Sequence, residues 1–425
     1  MWCALGILAL FSRQNFAEPL KASLLSEAGI LINADTGRVL FEKNANQELF
    51  PASITKVATA LYILENFGHR IKEETCAKAT ALGWGPVHLK RTQSSRYPSY
   101  LLESGATHMG VRVGEKISVE GLLYGLLIGS AGDAANVLAE HFGGSIPEFM
   151  QSVNVYLRAK GLTSTYFNNP HGLHHADHHT TVRDMAIVAR EAMKFPLFRT
   201  IVRQEKGLRP QTNLQPPSTY GQSNLLLKPG RFHYPYATGI KTGYMSKAKF
   251  TLIASADKDD RHVIAVIMGS QLSEHRYIDV INLFEAAFNE KKASRLLLTK
   301  EYDTFSLVVK GSASALKAHM LKDLILEYYP SEEPQVHTAI EWKVHHLPIK
   351  KGEGVGYINL FDQNNALIQK ELLIATEDVN PTLYWKMRHY IGVIASMKLT
   401  KVIVLLMLIV SITAGWLYFK REPAK

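Results

Sequence analysis

Cysteine is almost absent: the 425 residues contain two, Cys3 and Cys76. Cys3 lies in a segment expected to be removed, so one thiol remains. That excludes a disulfide framework and a cysteine metal site, and fits either a reducing or an exported setting. No internal repeat is present. Despite a net charge of +10, the chain has no compact Lys/Arg stripe with interleaved aromatics. The charge points to an anionic partner or surface. The densest basic clusters, Lys90-Arg91 with Arg96 and Lys291-Lys292 with Arg295, read as solvated faces, and nucleic acid is not an expected partner. Hydrophobic and charged fractions of 46% and 20% are ordinary for a globular chain long enough for two or three domains.

Long hydrophobic runs are confined to the two ends. Met1–Phe11 (MWCALGILALF) has the apolar texture of a secretory signal without its usual basic start, and Asn15-Phe16-Ala17 suits a cleavage site. Val402–Phe419 is an 18-residue run without a charge, bounded by Lys401 and Lys420 and carrying Trp416 and Tyr418. Its length predicts a membrane span, with the short basic tail in the cytoplasm and the rest of the chain outside it.

Between these ends the pattern alternates. Two apolar runs around Ala34-Asp35-Thr36-Gly37 predict a hairpin over 28–41. Residues 82–103, rich in Gly, Pro, Ser, Arg and Tyr, read as an exposed excursion. Ser118 caps a predicted helix through Leu127, Gly129-Ser130 interrupts it, and a second helix ends at Gly143-Gly144. A further helix spans about 146–160, and Thr181 to Asp184 opens a helix over 182–193. His171, His174, His175, His178 and His179 fall within nine residues. They offer metal ligands, but Pro170 and Gly172 argue against a helix that would align them, and a solvated loop is the expectation. Two apolar strands flank a turn at 257–260, and a helix over about 274–290 follows. From Ala293 short β-type runs predict a small separate domain.

Three stretches carry possible chemistry. In Phe50-Pro51-Ala52-Ser53-Ile54-Thr55-Lys56, positions 53 and 56 are three apart at a helix start and share a face. A lysine buried there loses charge and can take the serine proton; a capping serine with a surface lysine fits the same letters, and Ser-x-x-Lys recurs at Ser246, Ser255 and Ser314. Ser130 sits in a kink between two helices, either as a cap or as a hydroxyl on a rigid support. Lys241-Thr242-Gly243 lies beside a strand, either as an edge turn or as a cation, a hydroxyl and a close-approach glycine for a substrate carboxylate. Together they match, in order, the motif set of penicillin-recognising serine enzymes.

The chain resembles the D-alanyl-D-alanine carboxypeptidases, the low-molecular-mass penicillin-binding proteins. The resemblance also rests on Gly121 to Leu127, Asn169-Pro170-His171-Gly172-Leu173, Arg183-Asp184-Met185-Ala186, Gly239 to Gly243 and Val266-Ile267-Met268-Gly269. It implies an α+β catalytic domain of the β-lactamase/DD-peptidase type, with a mainly antiparallel sheet flanked by helices, over 18–292. Around it stand a signal (1–17), a β-rich domain (293–378), a juxtamembrane linker (379–398), a transmembrane helix (399–419) and a tail (420–425). It implies Ser53 as nucleophile, Lys56 as general base and Ser130 as proton relay. Lys241, Thr242 and Gly243, assisted by Arg276, would bind the substrate carboxylate, and the N–H groups of Ser53 and Tyr244 would form the oxyanion hole. No metal or cofactor is implied. The expected partners are peptidoglycan stem peptides ending in D-Ala-D-Ala, β-lactams as covalent inhibitors, and a bacterial inner membrane bearing the catalytic domain outside the cytoplasm. One departure stands out: the second motif reads Ser130-Ala131-Gly132, with glycine where the family has asparagine. That amide touches substrate and base lysine in the family, so its loss predicts a gap and a missing donor. A non-catalytic penicilloyl-binding sensor is the alternative function, with a β-lactamase behind it because no Glu-x-x-x-Asn loop is evident.

Overall fold

A computed structural model describes residues 5–6, 18–86, 97–396 and 399–419. They form two compact units, one of Glu18–Lys291 with Pro330–Glu332, the other including Leu5–Gly6, Lys292–Tyr329 and the chain from Glu333.

In the first unit the predicted hairpin forms from β1 (Ala28–Asn33) and β2 (Val39–Lys43). After it come helices α1 (Thr55–Phe67), α2 (Val119–Leu127), α3 (Gly132–Gly143), α4 (Ile146–Ala159) and α5 (Val182–Met193). Strands β3 (Ala237–Met245), β4 (Lys249–Lys258) and β5 (Arg261–Ser270) and helix α6 (His275–Phe288) close the unit. The five strands make one antiparallel sheet in the order β2-β1-β5-β4-β3. The N-terminal hairpin thus docks on the last strand, and β3, carrying Lys241, becomes an edge.

Successive side chains of a strand face opposite ways, and both faces here are apolar. On β5, Ile264, Val266 and Met268 join the core shared with α1 to α5, whereas Val263, Ala265 and Ile267 join a second core under α6. The helix starts follow their caps. Ser118 Oγ accepts from Gly121 N at 3.1 Å, and Thr181 Oγ1 from Asp184 N at 3.0 Å. Each satisfies a donor that has no partner inside the helix.

The second unit holds a sheet in the order Leu5–Gly6, Val336–Trp342, Gly354–Asp362, Leu367–Ala375, Leu316–Met320, Thr304–Leu307, and a separate pair of Ala293–Leu298 with Leu324–Tyr328. Its core includes Leu316, Leu324, Ile358, Leu360 and Leu373. The segment read as a linker contains a helix, Leu383–Ser396. The signal-like start (apart from Leu5–Gly6), residues 87–96 of the excursion and the 420–425 tail lie outside the described residues.

The predicted membrane span has no support here: among the described residues no helix is long and apolar enough to cross a membrane. A 21-residue helix does run from Leu399 to Phe419. Ser411 Oγ and Thr413 Oγ1 on it donate back to the carbonyls of Met407 and Ile409.

Candidate active site

A short 3₁₀ turn, Ala52–Ile54, runs straight into α1. Residues three apart across a helix start share a face, and Ser53 and Lys56 face the same way, as their spacing predicts. Lys56 Nζ lies 3.0 Å from Ser53 Oγ and donates to the carbonyl of His171 at 2.6 Å. Only 3% of Lys56 is exposed. Burial, and next the positive charge of Lys241, hold its pKa well below 10.5, with Asp133 opposing them. A neutral amine beside a hydroxyl is the arrangement that general-base activation of serine needs.

Ser53, Lys56, Ser130, Gly132 and Tyr244 line one cavity of about 220 Å³. Ser130 stands between α2 and α3 with φ of 54°, in the interruption the sequence marks. Gly243 borders the nucleophile directly: a Cβ there would fall 2.9 Å from Ser53 N and 2.4 Å from Thr251 Oγ1. Only glycine lets β3 come this close.

Lys241 is fully buried on β3, and its Nζ donates to Thr242 O at 3.0 Å. Burial, with Arg276 adding like-charge repulsion, lowers its pKa to about 7. Thr242 Oγ1 pairs with Ser223 Oγ. Arg276 donates to the carbonyls of Gly243 (3.0 Å) and Thr251 (3.2 Å) and to Ser273 Oγ (3.2 Å). In this arrangement its guanidinium clamps the strand pair that carries the triplet.

Other participants escaped the sequence. His171 contributes its carbonyl to Lys56, while its Nε2 meets Tyr100 O at 3.0 Å and its Nδ1 accepts from Leu173 N. His178 accepts from Asn168 N at Nδ1 and so donates from Nε2 to Thr55 Oγ1, which donates in turn to Ala52 O. Its pKa falls to about 3, chiefly through burial, which keeps it neutral. The histidine stretch is therefore a partly buried brace for the nucleophile turn rather than the solvated loop expected. Among the described residues no His/Cys/Asp/Glu group is placed to hold a metal. A clue was present in Asn169-Pro170-His171-Gly172, whose rigid letters mark a shaped turn.

The described end of the excursion and the residues after it pack against α3, with Leu102 buried, while Trp84 is exposed as expected. Asp133 accepts from the N–H groups of Met109, Gly110 and Val111, and Gly132 N donates to Thr107 O at 2.8 Å. Asn136 Nδ2 donates to the carbonyls of Ala81 and Tyr100. The stretch 102–107 consequently forms one wall of the cavity.

The family model for D-alanyl-D-alanine carboxypeptidase matches residues 14–272. The chain is similar to the D-alanyl-D-alanine carboxypeptidase DacF of Bacillus subtilis, 29% identical over 372 residues that span 87% of this chain and 90% of that one. It is similar to DacC of Escherichia coli at 28% over 389 residues, 88% and 90% of the two chains. Among solved structures, the D-alanyl-D-alanine carboxypeptidase DacD of Francisella tularensis shares the fold at a TM-score of 0.57 and 21% identity, over 87% of this chain and 98% of that one. The Streptomyces K15 DD-transpeptidase matches at 0.54 and 25%, over 63% and 99%. The motif residues, with Ser53, Lys56 and Ser130 at one cavity and Gly243 bordering the nucleophile, and a family match over most of the chain lead to one conclusion: this protein belongs to the D-alanyl-D-alanine carboxypeptidase family of serine peptidases.

Proposed function

We propose that the protein removes the terminal D-alanine from peptidoglycan stem peptides through an acyl-enzyme on Ser53, and that β-lactams acylate the same oxygen. The observation that carries this reading is the buried, charge-depleted Lys56 3.0 Å from Ser53 Oγ. Lys241 and Thr242 hold the substrate's C-terminal carboxylate. Ser53 Oγ attacks the carbonyl of the penultimate D-alanine while Lys56 takes its proton. The oxyanion that forms is met by the N–H groups of Ser53 and Tyr244. Ser130 passes the proton to the leaving amine, D-alanine departs, and water then hydrolyses the ester.

The test measures D-alanine released from a D-Ala-D-Ala pentapeptide and locates the penicilloyl adduct by peptide mass spectrometry. D-alanine release, with the adduct on the peptide containing Ser53, is expected. An adduct elsewhere overturns the nucleophile assignment. Labelling without release points to a penicilloyl-binding sensor, and rapid penicillin turnover to a β-lactamase.

The extracytoplasmic, membrane-anchored placement is part of the same proposal. Its support is the uncharged run Val402–Phe419 between two lysines. Full-length protein is expected in the carbonate-resistant membrane pellet, and chain ending at Thr382 in the soluble fraction; equal distribution of both removes the anchor.

A further inference from the structure

Leu102 closely approaches the Cβ position of Gly132. An ideal Cβ on Gly132 would stand 2.8 Å from Leu102 Cδ2, with Thr107 O at 3.5 Å and His171 Cβ at 3.7 Å. Leu102 is 1% exposed and lines the same cavity as Ser53, Lys56 and Ser130. Its backbone is fixed on both sides, by Leu102 N to Gly83 O at 3.0 Å and Gly85 N to Leu102 O at 2.8 Å. The stretch just after it is tied to the start of α3 through Thr107 O, and Asp133 holds the three residues from 109 to 111. The leucine therefore reaches residue 132 from a well-anchored segment, more than twenty residues earlier in the chain.

We infer that Leu102 takes over the space of the amide missing at Gly132 and is a specificity-determining contact, offering hydrocarbon where an amide side chain would hydrogen-bond the acyl donor. The inference rests on the proposed acylation of Ser53. Its chemical consequence is a reduced premium for acyl donors that carry an amide beside the reacting carbonyl. An amide at 132 requires expulsion of the leucine, so the two positions act as a pair. Alanine at 132 needs only a small swing of the leucine's end, whereas asparagine needs its place.

Two readouts separate the parts. Thermal melting of wild type, Leu102→Ala, Gly132→Asn and the double variant tests occupancy. Gly132→Asn is expected to lower Tm in the Leu102 background and to cost little once residue 102 is alanine; additive shifts overturn the pairing. Acylation rates with benzylpenicillin and with 6-aminopenicillanic acid, which lacks the acylamino group, test the contact. The rate ratio is expected to rise ~10-fold in the double variant, the size of one added hydrogen bond. An unchanged ratio, with coupled melting, overturns the specificity role. A wild-type protein that takes up neither penicillin, while melting remains coupled, defeats the proposed function and the contact but leaves the filling of the site by Leu102 established.

Discussion

Lys56→Met is expected to slow both penicillin acylation of Ser53 and D-alanine release by about 10³-fold, the scale of a lost general base. Methionine preserves length and packs in the same buried channel, so the fold is expected to survive and melting to change little. The loss comes from the proton. Ser53 Oγ has Lys56 Nζ at 3.0 Å, and burial, then the charge of Lys241, disfavour the charged form of the amine. The pH dependence follows from the two lysines with opposite requirements. Lys56 works deprotonated, so kcat/KM falls as pH drops through its depressed pKa. Lys241 binds a carboxylate as a cation, so kcat/KM falls again as pH rises through about 7 in the free enzyme. Lys241→Gln removes one cause of the low Lys56 pKa, and its acid limb is expected to move to higher pH. Stopped-flow acylation across pH checks both. Retention of rate in Lys56→Met, or an acid limb unmoved in Lys241→Gln, would sink this assignment.

The parts of this site that the sequence displays are those built from local signals. Ser53 and Lys56 are one turn apart, Ser118 and Thr181 cap the helices that follow them, and Lys241 to Gly243 share one strand. Each is decided within a few residues, by periodicity or by a cap. Leu102 was hidden because its partner is Gly132, and an absent side chain announces nothing about what fills its space. The His171 carbonyl was hidden for another reason: backbone groups carry no letter. In the sheet, β1 pairs with β5 across more than two hundred residues, an adjacency that alternation alone does not determine. In the second unit, β-type runs alone do not bound Leu316–Met320 and Leu324–Tyr328, because the Lys322-Asp323 turn between them is short and the flanking letters suit a helix equally well. The helix Leu383–Ser396 passed as a linker since its exposed apolar residues, Leu383, Tyr384, Met387 and Tyr390, show no buried stripe.

Gly172→Ala is expected to damage the protein more than any other single methyl group added near the site. The residue has φ of +89°, and a Cβ there would lie 1.9 Å from the carbonyl oxygen of Ala52 and 2.9 Å from Thr55 Oγ1. Backbone cannot swing aside as a side-chain end does. The same stretch delivers the His171 carbonyl to Lys56 and the Pro170 carbonyl to Thr59 Oγ1 at 2.8 Å. One methyl group therefore pushes the brace away from the nucleophile turn. Gly161 supplies the control, since its φ of +82° is similar but no atom lies within 4 Å of its Cβ position. Gly161→Ala is expected to cost about 1 kcal/mol, the left-handed backbone penalty alone. Gly172→Ala adds the collision and is expected to cost about 4 kcal/mol, in the range reserved for specific structural insults. At roughly 2–4 °C per kcal/mol for a domain of this size, melting should fall by about 3 °C in the first case and by about 12 °C in the second. Penicillin labelling of Ser53 is expected to slow at least ~10-fold only in Gly172→Ala, because displacement of about 1 Å at a catalytic group costs that much or more. Equal melting shifts for the two variants, or full labelling in Gly172→Ala, would show that the 169–173 turn does not brace the nucleophile.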